Sequence, residues 1–204
     1  MTPSDLTSSY AIMEQFYTLQ GEGYWSGTPA YFIRLAGCNV GCHWCDVKES
    51  WNINDHPQIV VSELLAKVKD TAAQRIVITG GEPFLQDLGP LTRVLKHNGY
   101  QLHCETSGTA PVSGVWDWIC FSPKKFKAPL PDWYLIANEL KVIVYQLADL
   151  AWGETHALHC TKDCQLFFQP EWDSQRHIPE TIAFIQDNPH WKLSLQTHKF
   201  LGIA

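Results

Sequence analysis

Short β-rich runs recur along the chain, and each one stops at glycine, proline or polar residues able to do chemistry. AYFIRLA runs into GCNVGC, RIVIT into GGEP, QLHCET into SG, WICFS into PKK, QLFFQ into PE, and LSLQ into THK. ELKVIVY, residues 139–145, is a further strand candidate behind the polar Asn138 and Glu139. Helical patterns lie between several of these runs. Leu88, Leu91, Val94 and Leu95 share one face over residues 87–98, before Asn98-Gly99 stops the turn. Leu64, Leu65 and Val68 form the stripe of residues 59–70, and Ile178, Ile182 and Ile185 that of residues 178–188.

Alternating strands and helices imply a parallel sheet, and reactive residues at successive strand ends are how a β/α barrel builds its site. A closed eight-unit barrel usually needs about 250 residues, whereas this chain has 204. The connection from Thr106 to Trp116 is also too short and too rich in Gly and Pro for a good helix. The expected fold is therefore α/β, an incomplete, partly open barrel. No repeat, linker or charge block divides it, so residues 1–204 read as a single domain.

Charge and cysteine usage narrow the functional classes. The net charge is −6 and the fifteen Lys and Arg are scattered, which is not the electrostatic footprint of a nucleic-acid binder. No apolar stretch reaches the length of a membrane span, and MTPSDLTSSY lacks the basic and apolar parts of a signal peptide, so the cytoplasm is the expected location. Seven cysteines, an odd number with three crowded together, suit a reducing compartment and a metal centre better than disulfides.

The crowded three are Cys38, Cys42 and Cys45, spaced CxxxCxxC on a glycine-bearing loop. Three thiolates on such a loop can reach three corners of an iron–sulfur cubane. Zinc is a rival, but structural zinc sites are normally closed by four ligands, and His43 sits awkwardly between two of the thiols. Plain packing is a third reading, weakened by Gly37 and Gly41, which interrupt the apolar pattern. Further on, the glycines of ITGGEP, residues 78–83, allow close backbone approach to a ligand, and Glu82 can accept from an ammonium group. His156, His159, Cys160 and Cys164 are spaced so that they could hold a second metal, or simply end a helix before QLFFQ. Cys104 and Cys120 read as small buried residues of strands.

The CxxxCxxC spacing resembles that of the radical S-adenosylmethionine (SAM) enzymes. The resemblance implies a 4Fe–4S cluster whose open iron is chelated by SAM, Trp44 near the adenine, and GGEP at the methionine amino end. LQGEG (19–23), Arg34, TGGEP, ETSG (105–108), SPK (122–124), NELKVI (138–143), QP (169–170) and QTHK (196–199) extend the likeness. Together they resemble the 7-carboxy-7-deazaguanine synthase family, from about Met13 to the last residue.

That family contracts the ring of 6-carboxy-5,6,7,8-tetrahydropterin to give 7-carboxy-7-deazaguanine, on the way to queuosine and related deazapurines. The resemblance implies hydrogen abstraction at C6 by an adenosyl radical, rearrangement, return of the hydrogen, loss of ammonia and regeneration of SAM. It assigns Trp44, Cys45, Asp46, Gly81, Glu82, Ser122, Pro123, Lys124, Gln169, Pro170, Glu171 and Trp172 to SAM. It assigns Leu19, Gln20, Gly21, Arg34, Thr79, His198 and the C-terminal Ala204 to the pterin. It also implies a homodimer, an external reductant and a magnesium ion held by a hydroxyl after CD. Here that position is Val47, which carries no oxygen for a hard cation. Turnover is therefore expected to depend less on magnesium than in threonine-bearing relatives. The rival functions are an activase that installs a glycyl radical on a partner protein, against which LQGEG and QTHK argue, and a metal-binding interaction protein without turnover.

Overall fold

A computed structural model describes residues 1–204. The strands are β1 (Ser9–Leu19), β2 (Pro29–Leu35), β3 (Gln58–Val60), β4 (Arg75–Gly80), β5 (Gln101–Thr106), β6 (Trp118–Phe121), β7 (Glu139–Val144), β8 (Gln165–Pro170) and β9 (Trp191–Leu193). They form one nine-stranded sheet in the order β3-β1-β2-β4-β5-β6-β7-β8-β9. β1 pairs antiparallel with β2 and β3, and every other neighbouring pair is parallel. The sheet does not close, because β3 and β9 remain its ends. The expected α/β architecture, an incomplete and open barrel, is the one observed.

The helices are α1 (Pro3–Thr7), α2 (Val61–Lys69), α3 (Gly89–His97), α4 (Asp132–Ile136), α5 (Ala148–Ala157), α6 (Ile178–Asp187) and α7 (Thr197–Leu201). None is long and apolar enough to cross a membrane. α2, α3 and α6 match the three expected helical stripes. β1 is an element the run-by-run reading lacked, because its eleven residues, SYAIMEQFYTL, alternate poorly and its register against β2 shifts between Ile12 and Glu14. LSLQ is a correction in the other direction. The strand is only Trp191–Leu193; Ser194 still donates its N–H to Phe168 O of β8 at 2.9 Å, while its Oγ accepts the Gly23 N–H at 2.8 Å.

The two faces of the sheet differ in chemistry. One carries Ile33, Leu35, Ile76, Ile78, Leu102, Phe121, Leu140 and Val142 into an apolar core with Leu64, Leu91, Val94 and Leu95 of the helices. β7 shows why: in ELKVIV, period-two alternation sends Leu140, Val142 and Val144 into that core and Lys141 and Ile143 into the cavity on the opposite side. The concave face has only a small apolar floor, Ala30, Phe32 and Val77 with Phe16 against them. Above it stand polar side chains at the C-terminal ends of the strands.

Candidate active site

Those strand ends converge on one cavity of about 260 Å³. The cysteine loop follows β2 and turns through Gly37 and Gly41, at φ +100° and +77°, conformations that L side chains rarely adopt. Gly37 N–H donates to Ser50 O at 2.7 Å and Cys38 N–H to Trp51 O at 3.1 Å, which pins the loop at its start. The GGEP segment after β4 lies directly on it. Glu82 N–H donates to Gly37 O at 2.9 Å, and a Cβ on Gly81 would overlap that carbonyl and the Cys38 Cβ.

Cys38, Cys42 and Cys45 all line the cavity. Burial pushes the Cys42 thiol up to about 11, Lys124 opposes this, and the other two thiols reinforce it, so ionising Cys42 calls for added positive charge such as iron supplies. No group of three or more His, Cys, Asp or Glu side chains is gathered closely enough to hold a single ion. His43 is turned away, its ring packed edge-on against Phe126 and Tyr145. The donor set therefore fits the corners of a cluster rather than one zinc ion.

On the side expected to meet SAM, Trp44, Asp46, Gly81, Ser122, Lys124, Gln169 and Glu171 line the cavity. Lys124 Nζ is tied to the carbonyl and hydroxyl oxygens of Ser122, both at 2.6 Å. Gln169 Oε1 accepts from Ser194 Oγ at 2.7 Å. Glu171 Oε2 is buried without a partner, an acceptor suited to a ligand hydroxyl or ammonium.

Four assigned residues do not reach this wall. Pro123 and Pro170 are absent from the lining. Trp172 lies outside, stacked edge-on with Phe200 under the Lys199 ammonium. Glu82 is the substantive correction. It is 1% exposed, and its oxygens accept from Phe84 N, Thr106 Oγ1, Ser107 N and Ser107 Oγ. That carboxylate ties GGEP to the end of β5 and has no oxygen free for a ligand ammonium.

The residues assigned to substrate, Leu19, Gln20, Gly21, Arg34, Thr79, His198 and Ala204, all line the cavity. Arg34 is oriented by Glu14, which accepts its Nε–H at 2.6 Å; the two Nη groups have no protein partner and are left for a planar acceptor. His198 packs so closely on Gly21 that a Cβ there would overlap its ring, and burial lowers its pKa, keeping it neutral.

Glu22, Glu105 and Lys141 also line the cavity; they stand inside the motifs LQGEG, ETSG and NELKVI, but the sequence reading gave them no role. Lys141, 3% exposed, bridges Glu22 Oε2 at 2.5 Å and Glu105 Oε2 at 2.7 Å. Burial pushes Glu22 up, but the charge and hydrogen bond of Lys141 outweigh it and hold the carboxyl at about 2. For Lys141 the further signal is its place on β7, a lone charge amid the apolar run LKVIV.

The residues around Val47 do not fit magnesium. Val47 lines the cavity without an oxygen, and the neighbouring Asp46 carboxylate is held by Lys199 Nζ at 2.7 Å. The His156 region is also accounted for without a metal. Tyr134 OH meets His156 Nδ1 at 2.6 Å, Tyr134 and Trp152 pack on that ring, and Cys160 lies beside Cys164.

Comparison with known proteins agrees with this geometry. The Radical SAM superfamily profile matches residues 32–120. A 7-carboxy-7-deazaguanine synthase of Flavobacterium psychrophilum is 50% identical over 193 residues, covering 94% of this chain and 91% of that one. The chain belongs to the 7-carboxy-7-deazaguanine synthase family. A synthase of Synechocystis sp. is 47% identical over 198 residues, covering 97% of this chain and 95% of its own. The crystal structure of QueE from Escherichia coli superposes with a TM-score of 0.79 at 37% identity, covering 93% and 95% of the two chains. As a member of the 7-carboxy-7-deazaguanine synthase family the chain is a radical SAM enzyme, working with a 4Fe–4S cluster and SAM.

Proposed function

We propose that the cavity converts 6-carboxy-5,6,7,8-tetrahydropterin into 7-carboxy-7-deazaguanine with release of ammonia, as a step toward queuosine-type deazapurines. One observation carries this: the three cysteines, the Arg34 guanidinium and the carboxylates of Glu22 and Glu105 line the same cavity.

Cys38, Cys42 and Cys45 would hold the cluster, and Trp44, Cys45, Asp46, Gly81, Ser122, Lys124, Gln169 and Glu171 would hold SAM. Bound there, cluster and cofactor supply the one-electron cleavage that opens the reaction. Arg34 clamps the substrate carboxylate through its Nη groups while Glu14 fixes the plane of the guanidinium. Gln20, Glu22 and Glu105 offer acceptors to the amine-rich pterin edge, and Lys141 holds the two carboxylates in place. Phe16, Leu19, Phe32 and Trp51 give the cavity apolar walls that exclude water. Thr79, Gly21, His198 and the Ala204 terminus complete the substrate side. Magnesium is not held by this chain in our reading, since Val47 and the Lys199-bound Asp46 leave it no suitable oxygen set.

The same reading takes residues 1–204 as one domain acting in the cytoplasm as a homodimer with an external one-electron reductant. The net charge of −6 speaks against a nucleic-acid partner. The test is anaerobic reconstitution followed by incubation with dithionite, SAM and the carboxypterin. A deazapurine acid is the expected product, and SAM cleavage without it refutes the assignment.

A further inference from the structure

A second, smaller cavity of about 10 Å³ lies beneath the first. That is room for about one water molecule. Gln20, Glu22 and Glu105 wall both spaces, while Trp25, His103 and Glu139 belong to the lower one alone. Two buried polar atoms of its lining residues have no partner: Glu139 Oε1 and Trp25 Nε1. Glu139 is 2% exposed. Its other oxygen accepts from Tyr24 N–H at 3.2 Å and Trp118 Nε1–H at 3.1 Å.

No cation is left for Glu139. Lys141, on its own strand, gives its bonds to Glu22 and Glu105. Arg75 of β4 lies over the Trp25 ring and donates its Nε–H to His103 Nε2 at 3.1 Å. Ionised, Glu139 would add a fully buried negative charge to the two partly exposed carboxylates that already share the Lys141 ammonium, with a bare oxygen besides. Protonation removes both costs. The acid O–H and the indole N–H can then donate to one water, which has two hydrogens left for acceptors such as Glu105.

We propose that Glu139, one enclosed water and the Trp25 indole N–H form a proton-holding site under the substrate, from which a proton is lent through Glu105 to the reaction and then returned. This rests on the function proposed above. Departing ammonia needs a proton on nitrogen, and forming the aromatic five-membered ring removes one from carbon. In the outward step the Glu139 O–H bond breaks, the water relays a proton, and Glu105 passes it to the nitrogen. In the return step Glu105 takes the carbon-bound proton and the water restores the Glu139 O–H bond. Substrate and product differ only by the ammonia released, so no net proton, electron or co-reactant is required.

The surroundings agree with this assignment. Burial pushes Glu139 up to about 7, with Lys141 pulling down and Glu105 pushing up. His103 of β5 is kept neutral at about 3 by burial and by Arg75. Burial likewise holds Cys120 of β6 as a thiol, and Glu22 is the remaining charged group on the wall.

Infrared pH-difference spectra of the substrate-free, anaerobically reconstituted holoenzyme read the site directly. The carbonyl stretch of a protonated carboxyl is expected, lost with a midpoint of about 7 and missing in Glu139→Gln. Trp118→Phe removes a donor to Oε2, so its midpoint should rise. Glu139→Gln should also slow kcat by about 10- to 100-fold, toward the low end of acid–base effects, and remove the neutral ionisation from the kcat profile with KM for the pterin unchanged. Absence of the band, its survival in Glu139→Gln, or an unaltered kcat profile overturns the proposal. If that variant does not fold, an unmoved midpoint in Trp118→Phe overturns it instead. A holoenzyme that shows the band but makes no deazapurine refutes the function and the lending step, while leaving the protonated carboxyl in place.

Discussion

Replacing Glu82 with Gln separates a strut from a ligand contact. The side chain is 1% exposed. Oε1 accepts from Thr106 Oγ1 at 2.7 Å and Phe84 N at 3.3 Å, and Oε2 accepts from Ser107 N at 2.9 Å and from Ser107 Oγ. The hydroxyls can turn, and Ser107 Oγ has Thr109 Oγ1 at 3.1 Å as a second partner. The two backbone N–H groups cannot. Whichever way the amide is oriented, its NH2 faces one of them and leaves a buried donor unmatched, at a cost of about 1–3 kcal/mol. Loss of the charge-assisted part of the other bonds adds about 1 kcal/mol. A total of about 2–4 kcal/mol, at about 2–4 °C per kcal/mol for a chain of this size, lowers Tm by about 5–15 °C. Thermal unfolding followed by circular dichroism, with SAM binding measured on the reconstituted protein at low temperature, provides the assay. An unchanged Tm with SAM affinity abolished would refute the reasoning and return Glu82 to the ligand.

The remaining predictions concern charge. Wild-type protein should keep turning over after magnesium is chelated and show no bound Mn²⁺ by electron paramagnetic resonance, whereas Val47→Thr should gain a Mn²⁺ signal; a steep loss of product restored only by magnesium would count against this. Glu14→Gln should raise KM for the pterin by about 5- to 30-fold, the equivalent of about 1–2 kcal/mol of lost orientation, with kcat nearly unchanged; equal losses in both would contradict the positioning role. Glu22, whose pKa falls from 4.5 to about 2 on folding, should contribute stability above about pH 4.5 that is lost as pH falls through about 2. Glu139, raised from 4.5 to about 7, behaves oppositely: its contribution is present below about pH 4.5 and is lost as pH rises through about 7. Urea midpoints across pH should therefore decline between those values in wild type and not in Glu139→Gln, and a difference independent of pH would contradict the assignment.

Much of the site was legible because its ligands are local in the chain. Cys38, Cys42 and Cys45 need only one loop to meet, and GGEP, ETSG, SPK and QTHK each follow a recognisable strand, so their order alone aligns them at one edge of a parallel sheet. β1 was not legible, since SYAIMEQFYTL pairs on both sides through its backbone while its side chains follow no single period. Val47 was informative from the sequence itself, because a missing oxygen is a matter of composition rather than of geometry.

Covalent spacing and side-chain chemistry thus determined the three-thiol nest and the strand-and-loop order, and the resemblance of the ordered motifs pointed to the family. Only the tertiary structure decided which way each charge faces. Glu82 reads as a ligand from its motif, yet it turns toward four donors of β5 and its loop. Glu22, Glu105 and Lys141 lie far apart in sequence but meet within hydrogen-bonding distance. Strand register and burial set these choices, because an ion is tolerated away from water only where folding brings its partners to it.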